Sequence, residues 1–175
     1  MPATPVIEAR MSTTTKPPVN TAKSQRRKIR FDSIDQAIAE AERIAQLELD
    51  GTIRYSGNWT AGQILNHCGG WAEFAYKPNP LKAPWFVRFF ARMLKGRFLN
   101  KGLPSGGKIP RVENGTLITE PVDVRQALGR FKEAYLRLKR EPPTQPSPVF
   151  GMMSQEDAIK LNLRHAELHM SFVLN

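Results

Sequence analysis

Histidine and cysteine are scarce in this sequence, with three histidines and one cysteine among 175 residues. With Cys68 alone no intramolecular disulfide can form, and the usage fits a reducing compartment. No apolar run approaches the ~20 residues that a membrane-spanning helix needs. No export signal is expected either. "SQRRKIRF" carries paired arginines, but the following "DSIDQAIAEAERIAQ" is charged and amphipathic, whereas a signal needs an uninterrupted apolar segment. The expectation is a cytoplasmic protein. Nucleophilic triads, phosphate-binding glycine loops and second metal motifs are also absent, so no catalytic residue is assigned.

Acid is the other shortage, and it is local. Residues 77–111 hold nine Lys/Arg and no Asp or Glu; residues 1–30 hold seven Lys/Arg and one acid. The formal charge of +10 therefore rests on a tail and an insertion, and the remainder is mildly acidic. Such a charge permits an anionic partner without choosing between nucleic acid, lipid and acidic metabolite.

What is present is enough apolar material for one domain: 41% hydrophobic residues in a chain too short for two comfortable cores. Residues 1–25 are rich in Pro, Thr and Ser and read as a flexible tail, with Met11 a second candidate start. Residues 26–175 form the domain. "DSIDQAIAEAERIAQLEL" opens on N-cap residues and spaces Ile34, Ile38, Ala41 and Ala45 helically, stopping at Asp50-Gly51. Thr60 caps a second helix, "AGQILNHCGGWAEFAY", with a polar stripe of Gln63, Asn66, Gly70, Glu73 and Lys77. Its paired glycines, Gly69 and Gly70, demand tertiary support. A third helix runs from about Val122 to Arg140, and Ser154 caps a last one with Asp157 at the capping-box position. Four amphipathic helices without a strand pattern predict an all-α helical bundle.

Between the second and third of these lies the basic, aromatic insertion. Its middle, Pro84 to Leu99, reads as a short helix with Arg88, Arg92 and Lys95 on one stripe and Phe86, Phe89, Phe90 and Met93 over much of the rest. Four roles are open to it. It can cover the bundle with its arginines in water, draw an anionic substrate or thiol toward a site, rest on anionic lipid headgroups, or bind nucleic acid. No nucleic-acid recognition motif accompanies the charge, and none is predicted.

The last helix carries "NLRHAELHMSF". Lys160, Arg164, Glu167 and Ser171 form one polar stripe there, and His165 and His169 lie about 150° from its centre. Both therefore point inward, one turn apart, where both imidazoles can reach one ion. His67 falls at the boundary of its own helix's apolar stripe, near Trp71 and Phe74. Two readings stand: core histidines with one hydrogen bond each, or a metal site. Three neutral imidazoles suit zinc, nickel, iron or manganese, and a tetrahedral ion would keep one position for water or substrate. Cys68 reads as a buried structural thiol, Glu167 as solvated, Trp59 as a packing residue, and Trp71 and Phe74 as possible pocket walls.

Two of these stretches resemble the DinB-like superfamily. "GNWTAGQILNHCGGWAEF" is similar to its second helix, where a Trp followed by xxGQxLNH delivers one histidine, and "FGMMSQEDAIKLNLRHAELHMSF" to its final helix with H-x-x-x-H. "RRKIRFDSIDQAIAEAERIA" is similar to the opening of a DinB-like subfamily of unknown function, bacterial and with its own basic insertion. The resemblance implies a four-helix bundle, often a homodimer, with a divalent metal held by His67, His165 and His169. It implies for some members a thiol-dependent reaction on a small-molecule substrate, using a low-molecular-weight thiol for S-transfer or isomerisation. The expectation is a metal-dependent thiol S-transferase or hydrolase; the alternative is a non-catalytic metal- or ligand-binding bundle, or a basic protein in peripheral contact with a membrane. Two subfamily features are replaced: HPxFG before the last helix reads Ser147-Pro148-Val149-Phe150-Gly151, and a paired HH reads Leu168-His169.

Overall fold

In a computed structural model, residues 19–110 and 112–175 are described. Residues 1–18, with most of the expected tail and Met11, lie outside them. Five helices account for the regular structure: α1 (Ile34–Leu49), α2 (Ala61–Glu73), α3 (Trp85–Lys101), α4 (Val124–Arg140) and α5 (Gln155–Met170). Among the described residues there is no strand, and the fold is all-α. Only two isolated bridges occur, Tyr55 with Val173 and Ser147 with Gly151.

Each helix of the core begins where a side chain satisfies its free N–H groups. Ser33, Asp123 and Ser154 accept from the first turns of α1, α4 and α5. Thr60 and Gln63 form a complete capping box on α2. His67 lies barely two turns into α2, so fraying at Thr60 acts on the site. Thr60→Ala is expected to cost about 1 kcal/mol, read as a lower denaturant midpoint at unchanged slope.

The core lies between α1, α2, α4 and α5, with Ile44, Ile64, Leu65, Phe131, Tyr135 and Leu138 fully buried. Each contributes about 1.5–3 kcal/mol of transfer free energy. α2 and α4 pack most closely. A methyl group at Gly69 would stand 3.1 Å from the Phe131 backbone, so the glycine that weakens α2 also permits the approach. That is the tertiary support the paired glycines required.

Both helices carrying histidines are more enclosed than their polar stripes suggest. On α2, Asn66 is buried and accepts from Arg130 at 2.7 Å, while Glu73 receives the same guanidinium at 2.8 Å. On α5, Arg164, Glu167 and Ser171 are buried, not solvated. The segment preceding α1 crosses over them: Phe31 N–H donates to Glu167 at 2.7 Å, Arg164 donates to the Phe31 carbonyl at 2.5 Å, and Arg27 N–H to the Ser171 carbonyl at 2.9 Å. Burial raises the Glu167 pKa against the opposing pull of the Phe31 N–H. Of the expected stripe, Lys160 stays on the rim and pairs with Glu156.

α3 packs on α5 through a narrow side. Ala91 and Leu99 are buried, Lys95 pairs with Asp157 at 2.6 Å, and Phe98 meets Phe150 at 6.3 Å between ring centres. The chain then turns at Gly102 (φ 101°) and runs over the open end of the core toward a short 3-10 turn, Glu113–Gly115.

Candidate metal centre

The three histidines, separated by up to about a hundred positions, meet at one point. α5 places His165 and His169 one turn apart on the same face, and α2 brings His67 against them. His165 Nε2 lies 3.2 Å from His67 Nε2 and 3.1 Å from His169 Nε2, and one ligand atom from each ring falls within a common 4.8 Å. Two nitrogens bound at ordinary Zn–N distance to a tetrahedral ion stand ~3.3 Å apart. The donor set and its spacing fit a divalent ion.

The tautomer of His67 is fixed from outside the ring. Its Nδ1–H donates to the Leu117 carbonyl at 2.9 Å, which leaves Nε2 with its lone pair facing the cluster. A single N–H···N bond can bridge one of the two short contacts. Whichever nitrogen carries that proton, the other contact lacks one with good geometry. A cation held between the three nitrogens would resolve the conflict. Burial pushes the His67 pKa down to about 4, opposed by its backbone carbonyl contact. Burial first, and the neighbouring rings second, push His165 and His169 well below the usual imidazole range. All three rings are neutral at pH 7, the form a metal requires.

Aromatic side chains wall the cluster. Trp59 stacks on His169 at 5.0 Å and 14° and tilts against His67 at 4.7 Å. Trp71 stands 5.8 Å from His165 and meets Phe74 edge-on. Beyond them opens a cavity of about 560 Å³ whose lining includes Phe98, Leu103, Phe150 and Phe172. Among the described side chains, which leave out that of Glu113, no Asp or Glu lines it, and Lys108 is the one Lys or Arg.

Residues 23–175 match the family described as a protein of unknown function, DUF1569. The chain belongs to the DUF1569 family. All five helices and the three histidines fall within the matched span. No curated protein matches the chain, and no solved structure does.

In this DUF1569 chain the predicted ligands His67, His165 and His169 converge, and Trp71 and Phe74 wall the pocket as expected. Cys68, next to His67 in sequence, is fully buried in the core, where burial pushes its thiol pKa up. It points away from the cluster, about 100° round α2. Glu167 is committed to Phe31 and Arg164 and does not line the cavity. Trp59 was expected only to pack at the helix start, yet it is the ring closest to stacking on a histidine. Its position two residues ahead of α2 carried no periodic signal. The Leu117 carbonyl and the loop around Lys108 were likewise out of reach, because contacts made by irregular backbone leave no spacing pattern.

Proposed function

We propose that this DUF1569 chain is a DinB-like bundle of α1, α2, α4 and α5 that binds one divalent ion through His67, His165 and His169 and uses it to activate a low-molecular-weight thiol for transfer to an apolar substrate. The observation that carries the reading is the convergence of three neutral imidazoles at the floor of an apolar cavity. Zinc and nickel suit such a donor set best, with iron and manganese behind them. Bound there, the ion would supply Lewis acidity that activates a thiol or water.

The choice between thiol and water turns on the lining. Water attack is ordinarily assisted by a carboxylate base, and none of the described side chains lining this cavity is one. A thiol coordinated to a metal is already deprotonated and needs no such base. Trp59, Trp71, Phe74 and Phe150 would hold the apolar partner and keep water out. Hydrolysis is the second reading, and a non-catalytic metal- or ligand-binding bundle is the alternative to both.

Cobalt(II) substitution tests this without an assigned substrate. The loaded protein is expected to show tetrahedral visible absorption, and N-acetylcysteine to add a near-ultraviolet sulfur-to-cobalt band. Failure to bind cobalt would overturn the metal site. Cobalt binding without a thiol band would remove the thiol reading alone.

A further inference from the structure

α3 turns its largest apolar side chains outward. Trp85, Phe86, Phe89, Phe90, Met93 and Leu94 are between 47% and 80% exposed, Trp85 the most. At ~100° per residue they sweep half the helix, from Trp85 round to Leu94. The packed residues Ala91, Lys95, Phe98 and Leu99 occupy the opposite side. Together the six expose on the order of 700 Å² of apolar surface, at or above the largest patch of an ordinary soluble monomer. The insertion packs on α5 by its narrow side with its arginines exposed, and leaves a broad apolar side over. Its aromatic side is what faces out.

The charges around this face have one sign. Lys82 precedes it, Arg92 lies at one edge with Arg88 beyond it, and Arg97 and Lys101 follow on the outward side; all five are exposed. No Asp or Glu occurs anywhere from residue 77 to 111. A second copy seated on this face would set these cations against their own equivalents, which costs free energy. An anionic headgroup layer instead meets every cation with a phosphate, while Trp and Phe enter the headgroup–acyl boundary. We propose that α3 docks this protein peripherally on an anionic lipid surface, lying in the interface with its outward face buried. No helix among the described residues is long and apolar enough to cross a membrane, so the contact is parallel to the surface. Phe98, on the packed side of α3, lines the metal-site cavity, so docking would leave α3 between that cavity and the lipid.

Flotation or co-sedimentation of the full chain with vesicles tests this. Vesicles of phosphatidylcholine with phosphatidylglycerol should bind the protein at low salt, and pure phosphatidylcholine should bind it far less. Raising the salt should weaken the first toward the second. Trp85→Ser with Phe89→Ser should lower partition roughly a hundredfold. Lys82→Gln, Arg88→Gln and Arg97→Gln should lower it roughly fivefold per charge. These side chains are exposed, and unchanged circular dichroism and cobalt spectra would show that the fold persists in the variants. Equal binding to both vesicle types, or none to either, would overturn the proposal. So would a concentration-dependent dimer that Trp85→Ser with Phe89→Ser dissolves while vesicles are ignored.

Discussion

His165→Ala protein is expected to fold yet to retain essentially no divalent ion, where wild-type protein carries about one per chain. His165 is the central member of the cluster, at 3.2 Å from one partner nitrogen and 3.1 Å from the other. Its loss leaves His67 and His169 without the ring that spans them, and affinity should drop at least about a hundredfold. A ligand present at a hundred times its Kd stabilises the native state by about 2.7 kcal/mol, so added zinc should raise the wild-type melting temperature and leave the variant's unmoved. Metal analysis of both proteins, prepared without a histidine tag, checks this. Equal and negligible metal in the two would sink the site. Acid should strip the ion, since protonated imidazoles cannot ligate. In the ion-free fold the sign is the same. His67 binds its proton at about 4 when folded and near 6.5 when unfolded. Its stabilising contribution is complete above 6.5 and is lost as pH falls through 4.

Gly62→Ala and Gly129→Ala, identical changes within helices, are expected to have opposite effects. A methyl group at Gly62 would sit 2.2 Å from the Val122 carbonyl oxygen, a backbone atom that cannot rotate aside. The entry to α2 must then shift, at a cost of about 3 kcal/mol or more, a large share of a small domain's stability. Because His67 rides on the same helix, metal affinity should fall with it. At Gly129 nothing lies within 4 Å of the added carbon, and the helix interior gains about 0.5–1 kcal/mol from alanine. Denaturant titrations of the two variants should move in opposite directions. Similar small losses for both would mean that α2 does not approach the Val122 backbone so closely.

Much of the architecture was visible in periodicity and caps. Thr60 and Ser154 start helices where their residue types predict, while α4 begins at Val124 behind its cap Asp123, and the i, i+4 pair on α5 faces inward because the wheel leaves it no other side. The insertion helix was expected from Pro84 to Leu99 and runs from Trp85 to Lys101. The failures share one cause. A wheel divides a helix into apolar and polar halves, but whether the polar half meets water depends on what crosses it. Glu167 and Arg164 are covered by residues 27–31, and Asn66 by Arg130 of α4; both coverings come from elsewhere in the chain. α3 shows the converse, with an apolar half that nothing among the described residues crosses. His67 sat on a boundary for the same reason, and only the approach of α5 decides its direction.

The span between His67 and His165 has a consequence for how the protein is made. Ninety-eight positions separate two nitrogens that end 3.2 Å apart. On the ribosome His67 emerges long before its partners, and α2 cannot present a chelating set until α5 has been synthesised and has docked. The residues after α5 then tuck back beside the start of α2, where the Phe172 carbonyl accepts from Ser56 N–H and Leu174 N–H donates to the Arg54 carbonyl. Such non-local pairing comes late in folding. An ion held by the three histidines would therefore load only after α5 has docked, and a chain stalled before α5 emerges would offer it one imidazole.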